Sequence, residues 1–128
     1  MRILLDTHLL LWLLSGSPRM PGEAKRLILD VANEVHFSAA SVWEVAIKKA
    51  LRRDDFQIEP MRFADTLARS GLSELAVRAV HAARVASLPA VHRDPFDRLL
   101  IAQALTEPMT LLTNDEMLAN YGAIVQVV

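Results

Sequence analysis

Short apolar runs alternate along this chain with stretches of helical spacing. Residues 2–5 (RILL) read as a buried strand that stops at Asp6, and residues 7–14 as a short helix closed by Ser15-Gly16-Ser17-Pro18. Ala24, Leu27, Ile28 and Val31 recur at helical spacing and predict a helix over residues 21–33. Residues 35–37 follow as a strand, and residues 38–53 as a helix whose basic end (Lys48, Lys49, Arg52, Arg53) suits the negative pole of the helix dipole. Residues 60–69 form the next helix, stopped by Ser70-Gly71, then come a brief strand at 73–76 and a helix at 77–87. Residues 95–106 are helical, 109–112 a strand, 115–120 a helical turn and 123–127 a last strand.

Strands alternating with helices argue for an α/β fold with a parallel sheet covered on both faces. With no repeat, linker or low-complexity tract, residues 1–128 read as a single domain. The 52% hydrophobic content suffices for a real core.

Charge and cysteine content remove whole classes of function. Lys plus Arg total 14 against 15 for Asp plus Glu, so no global basic field advertises a nucleic-acid binder, although a metal-dependent nuclease stays open. With no cysteine, disulfide scaffolds, thiolate-held zinc and thiol catalysis all fall away. Asp6 and His8 interrupt the apolar N-terminus, which makes it a poor secretion signal, and no apolar run is long enough to span a bilayer. The expectation is a soluble, cytoplasmic protein without membrane association.

Four acids fall where such folds bind ligands, beyond the carboxyl ends of the strands. Asp6 follows the first strand, and Asp115 follows the strand at 109–112. Asp97 lies in the first turn of the helix leading to that strand, and Glu44 one turn into the helix after the second strand. Each has a plain structural use as a cap or a surface pair, and Glu44 with Lys48 is an i,i+4 pair. Together they point elsewhere. Carboxylates that meet must be protonated or bind cations, and hard Mg²⁺ or Mn²⁺ suits oxygen ligands in a chain without cysteine. Asp94 and Asp97 flank Pro95 at a helix start, where either could serve as a cap-region acid.

In the stretches "ILLDTHLLLWLL", "SAASVWEVAIKK", "DPFDRLLIAQA" and "LLTND", in that order, the chain resembles the PIN domains, most nearly the toxin ribonucleases of VapC type. The resemblance covers essentially the whole chain. It implies a three-layer α/β/α sandwich with a central parallel sheet of about five strands and a ring of acids holding Mg²⁺ or Mn²⁺. It also implies RNA as substrate, a small antitoxin protein as partner and a homodimer. The family's acids fall on Asp6, Glu44, Asp97 and Asp115, as catalytic and metal-binding residues. The "DRLLIAQA" frame leaves Asp94 outside the ring, as a cap.

Thr7, Ser41 and Thr113 stand beside these acids as supporting residues. His8, Lys48 and Lys49 are candidates for substrate phosphate, and Arg52 and Arg53 extend the basic group. His92 lies in the loop before Asp94 without an assigned part. The run Leu9–Leu14, with Trp12, is more apolar than one buried helix face requires and suggests a protein contact. Two other readings stand beside this one. A receiver-like phospho-switch needs adjacent acids after the first strand and a lysine after a late one, but Thr7 follows Asp6 and no lysine follows Lys49. An inactive PIN fold that only binds a partner would keep the same elements.

Overall fold

Side chains on a strand point alternately to its two faces, and that alternation divides the core of this molecule in two. The computed structural model describes residues 1–128. Strands β1 (Arg2–Leu5), β2 (Glu34–Ser38), β3 (Ser73–Leu75), β4 (Thr110–Thr113) and β5 (Val125–Val127) form one sheet in the order β3-β2-β1-β4-β5, every pair parallel. Helices α1 (Thr7–Ser15), α2 (Gly22–Leu29), α3 (Ala39–Ala50), α4 (Pro60–Arg69), α5 (Ala79–Arg84) and α6 (Pro95–Thr106) lie in the crossovers. Ile3 and Leu5 of β1 pack with Leu9, Leu10, Leu27, Val45 and Phe63 of α1–α4, whereas Leu4 faces Leu100, Ile101 and Ala104 of α6. The result is an α/β/α sandwich.

The strand order explains which helices go where. Right-handed crossovers keep α1–α4 on one face while the chain steps outward from β1 to β2 to β3. The chain then returns past β1 to β4, which puts α5 and α6 on the other face. The direction of stepping reverses between β1 and β4, the kind of switch point where open parallel sheets form a crevice. Asp6 and Thr113 stand directly at it, at the ends of those two neighbouring strands.

Several elements differ from the sequence expectation, each for a local reason. Helix α2 ends at Leu29, and the Asp30 carboxylate accepts a hydrogen bond from the Ala32 N–H in a turn. Val31, placed by spacing on the buried face, is therefore fully exposed. Helix α3 stops at Ala50 because Arg52 turns into the left-handed region (φ 56°), and the Arg53 N–H closes on the Lys48 carbonyl. The helix expected over 77–87 is shorter, since the His81 ring accepts the Arg78 N–H at its start and a 3₁₀ turn, Val85–Ser87, replaces its end. A further 3₁₀ turn, Asp54–Phe56, was not foreseen; it buries Phe56 beneath α3. Residues 115–120 form a 3₁₀ segment, Glu116–Tyr121, capped by Asp115. No helix is long and apolar enough to cross a membrane.

Leu4 is fully buried at the centre of the sheet. Leu4→Ala is expected to lower unfolding stability by about 2–5 kcal/mol, measured by urea denaturation. A loss below about 1 kcal/mol would mean that this face is not closely packed.

Candidate metal centre at the sheet rim

All the acids at the rim but Glu44, which lies midway along α3, are delivered by the end of a secondary-structure element. Asp6 is the N-cap of α1: its Oδ1 accepts the Leu9 N–H at 2.9 Å, and its Oδ2 accepts the Thr113 hydroxyl. Thr113 in turn accepts the Asp115 N–H at 3.0 Å, so one hydroxyl joins the ends of β1 and β4. Burial raises the Asp6 pKa above the ordinary carboxylate value, although those hydrogen bonds and His8 oppose the shift.

Glu44 is almost wholly buried on α3. Its Oε1 accepts the Thr7 hydroxyl at 2.6 Å and its Oε2 the Lys48 ammonium at 2.5 Å. Thr7 also lies 2.9 Å from the Ser41 hydroxyl. A threonine has one proton, so Thr7 donates to the carboxylate and Ser41 donates to Thr7. Thr7, Ser41 and Glu44 thus form one chain of bonds in a buried place. Two buried residues that sequence reasoning passed over set the spacing of α3 and α6: the Ser38 hydroxyl, which caps α3, donates to Gln103 at 2.5 Å. A serine at a helix start was a visible signal; its partner 65 positions away was not.

Asp94 is the N-cap of α6, and Oδ1 accepts the Phe96 and Asp97 N–H groups at 2.8 and 3.3 Å. Its other oxygen lies 3.3 Å from Lys48. It both caps and touches the site. Asp97 is different: its mostly buried carboxylate accepts no hydrogen bond from the chain, and the His92 ring is 3.8 Å away. Burial, and then the charges of Asp94, Glu44, Asp6 and Asp115, push its pKa up to about 8. An acid that feels four others, and that no donor satisfies, is suited to a divalent cation with oxygen ligands.

His92, to which no spacing pattern assigned a part, joins these acids. Its Nε2 lies 3.3 Å from Asp115, and the nearest ligand-type atoms of His92, Asp97 and Asp115 lie within 4.8 Å of one another. The Asp94 N–H donates to His92 Nδ1 at 3.0 Å. With Nδ1 accepting that N–H, Nε2 is the ring atom left to face Asp115 and Asp97.

The basic candidates separate. Lys48 turns its ammonium inward, between Glu44 and Asp94 and over the Phe56 and Phe96 rings at 4.9 and 5.6 Å. Burial works against that charge, but Glu44 and then Asp94 outweigh it and hold the pKa above the ordinary lysine value. His8, Lys48 and Arg53 line a polar cleft of about 380 Å³ with Asp54 and Asp55, and the His8 ring is 3.7 Å from Asp55. Lys49 lines a different hollow, with Gln57, Glu59 and Arg62, and is not brought to the acids. On α1, Leu9 and Leu10 are buried, while Leu11 and Trp12 are half-buried and border an apolar-walled hollow of about 360 Å³.

The raised Asp97 pKa fixes the sign of a pH effect. Between about pH 4 and pH 8 the unfolded chain has released this proton and the folded chain retains it, so stability falls as pH rises through that window. In EDTA the melting temperature is expected to drop between pH 5 and pH 8, and Asp97→Asn to flatten that part of the curve. Identical curves for the two proteins would remove Asp97 as the strained acid.

These features can be set beside known proteins. The model of the PIN domain family matches residues 3–124. Among solved structures, the chain is similar to VapBC2 from Rickettsia felis bound to a DNA fragment from its promoter, with TM-score 0.70 and 16% identity over 100% of this chain and 98% of that one. It is similar also to DNA-bound VapBC from Salmonella typhimurium (TM-score 0.69, 17% identity, 99% and 98% covered). A toxin–antitoxin complex from Klebsiella pneumoniae gives TM-score 0.65 and 20% identity over 98% and 96% of the two chains. No curated protein matches the chain. At these identities the structures share the fold, and the family match extends over nearly every element that builds the rim, so the chain belongs to the PIN domain family.

Proposed function

We propose that this chain is a single-domain, divalent-metal-dependent endoribonuclease, the VapC-type toxin of a toxin–antitoxin pair acting in the cytoplasm. The observation that carries the reading is Asp97, a largely buried carboxylate without a donor, surrounded by four other acids at the switch point of a PIN fold. PIN domains are in general nucleases, and the similar solved structures include toxin–antitoxin complexes.

Asp97 and Asp115 would contact Mg²⁺ or Mn²⁺ directly, with Asp6 and Glu44 completing the ring of acids around it, and the ion when bound supplies a Lewis acid for hydrolysis of a phosphodiester. The chain's own groups do the positioning. Thr7 and Ser41 fix Glu44, and Thr113 fixes Asp6 against the end of β4. His92, held by the Asp94 N–H, sets its Nε2 beside Asp115. In the cleft shared with Asp54 and Asp55, Arg53 offers a cationic contact and the His8 ring a polar one for the RNA backbone. A homodimer and an antitoxin partner complete the reading, with the hollow beside Leu11 and Trp12 on α1 as the partner's seat.

The purified protein is expected to cut RNA in Mg²⁺ or Mn²⁺ and to stop in EDTA. Asp97→Asn should abolish cutting while leaving the melting temperature level or raised, since it relieves repulsion. Asp94→Ser, which still caps α6, should stay folded and keep substantial activity. Cleavage at the wild-type rate by Asp97→Asn, or undiminished cleavage in EDTA, would falsify the metal mechanism.

Light scattering should report about twice the 14.2 kDa chain mass for the protein alone. Trp12→Glu should weaken capture of the antitoxin in co-expression while the nuclease remains active. A monomer at high micromolar concentration contradicts the dimer, and unchanged capture contradicts the α1 seat.

A further inference from the structure

The Lys48 side chain is only 14% exposed, and its ammonium sits between two carboxylates from different helices. A lysine that serves to bind phosphate keeps its charge in water; this one is turned away from it and flanked by Phe56 and Phe96. The acids around it divide into two sides. Toward Lys48, both oxygens of Glu44 are taken, by Thr7 and Lys48, and both oxygens of Asp94 are taken, by the α6 amides and Lys48. On the other side Asp97 accepts no hydrogen bond, and Asp115 gives Oδ1 to the Met117 N–H while its Oδ2 lies 3.3 Å from the His92 ring.

We propose that Lys48 is the fixed cation of this site: it fills the Glu44–Asp94 side, where a second metal ion would otherwise be held, so that one divalent ion binds, on the side of Asp97 and Asp115. Lys48 is then a positioning residue that ties α3 to the start of α6. This rests on the metal-site reading above and adds the number of ions and where the charge comes from. Removing the ammonium leaves the buried Glu44 and the partly exposed Asp94 facing each other with like charge and an empty place between them, the situation a second cation relieves. Arginine can restore the charge, although not the compact fit between the rings.

The test is calorimetric titration of the full chain with Mn²⁺ alone, with circular dichroism melts of each variant. The wild type is expected to bind one Mn²⁺ per chain, Lys48→Met to bind two, and Lys48→Arg to bind one. Two ions on the wild-type chain would overturn the proposal and leave the metal site standing. A folded Lys48→Met that still binds one ion with unchanged affinity would overturn it as well. If Lys48→Met does not fold, the wild-type stoichiometry and Lys48→Arg decide: one ion on each supports the proposal, and two on either sinks it. No Mn²⁺ on the wild-type chain overturns the metal-site reading and this proposal together.

Discussion

Like charges in a confined place are the constraint around which the rim is organised. Asp6, Glu44, Asp94, Asp97 and Asp115 meet where β1 and β4 end, and at an effective dielectric near 20 each pair within about 5 Å repels by roughly 3 kcal/mol. Each acid but one has a local remedy. Asp6 has an amide and the Thr113 hydroxyl, Glu44 has Thr7 and Lys48, Asp94 has the α6 amides and Lys48, and Asp115 has an amide and the His92 ring nearby. Asp97 has none, so it retains its proton toward neutral pH. A hard divalent cation that displaced this proton would relieve the crowding in its place.

The packing that creates the crowding also keeps it rigid. Leu4, Leu5, Leu111 and Leu112 are fully buried, so the strand ends that carry Asp6 and Thr113 cannot spread to separate the charges. Helices α3 and α6 come from opposite faces of the sheet, and the Ser38–Gln103 bond and the Lys48 clamp hold them at fixed spacing. Electrostatic strain here is set against hydrophobic burial elsewhere, the usual relation between a functional site and its scaffold.

Much of this was legible in the sequence, because the strand–helix alternation and the acids at element ends are local patterns. The five-stranded parallel sheet and the acids' approach to one rim follow from them. What was not legible involved partners distant in sequence. Lys48 looked like one member of a solvated helix end, yet its second partner, Asp94, lies 46 residues away. His92 carried no spacing signal, and only the fold brings it to Asp115. Val31 failed for the opposite reason: helical spacing continued past the point where the Asp30 turn ended the helix. Capping chemistry left Asp94 and Asp97 open, and the family resemblance made Asp94 the cap; it does cap α6, but it also reaches Lys48.

The most direct measurement is an anomalous difference map from crystals of the protein grown without metal and soaked in Mn²⁺. A peak at the carboxyl ends of β1 and β4, ligated by Asp97 with Asp115 and Asp6 beside it, is the expected result. An empty rim in a crystal that takes up Mn²⁺ elsewhere, or a peak that leaves Asp97 unligated, would contradict the view that this crowded, donorless carboxyl is the cation's ligand.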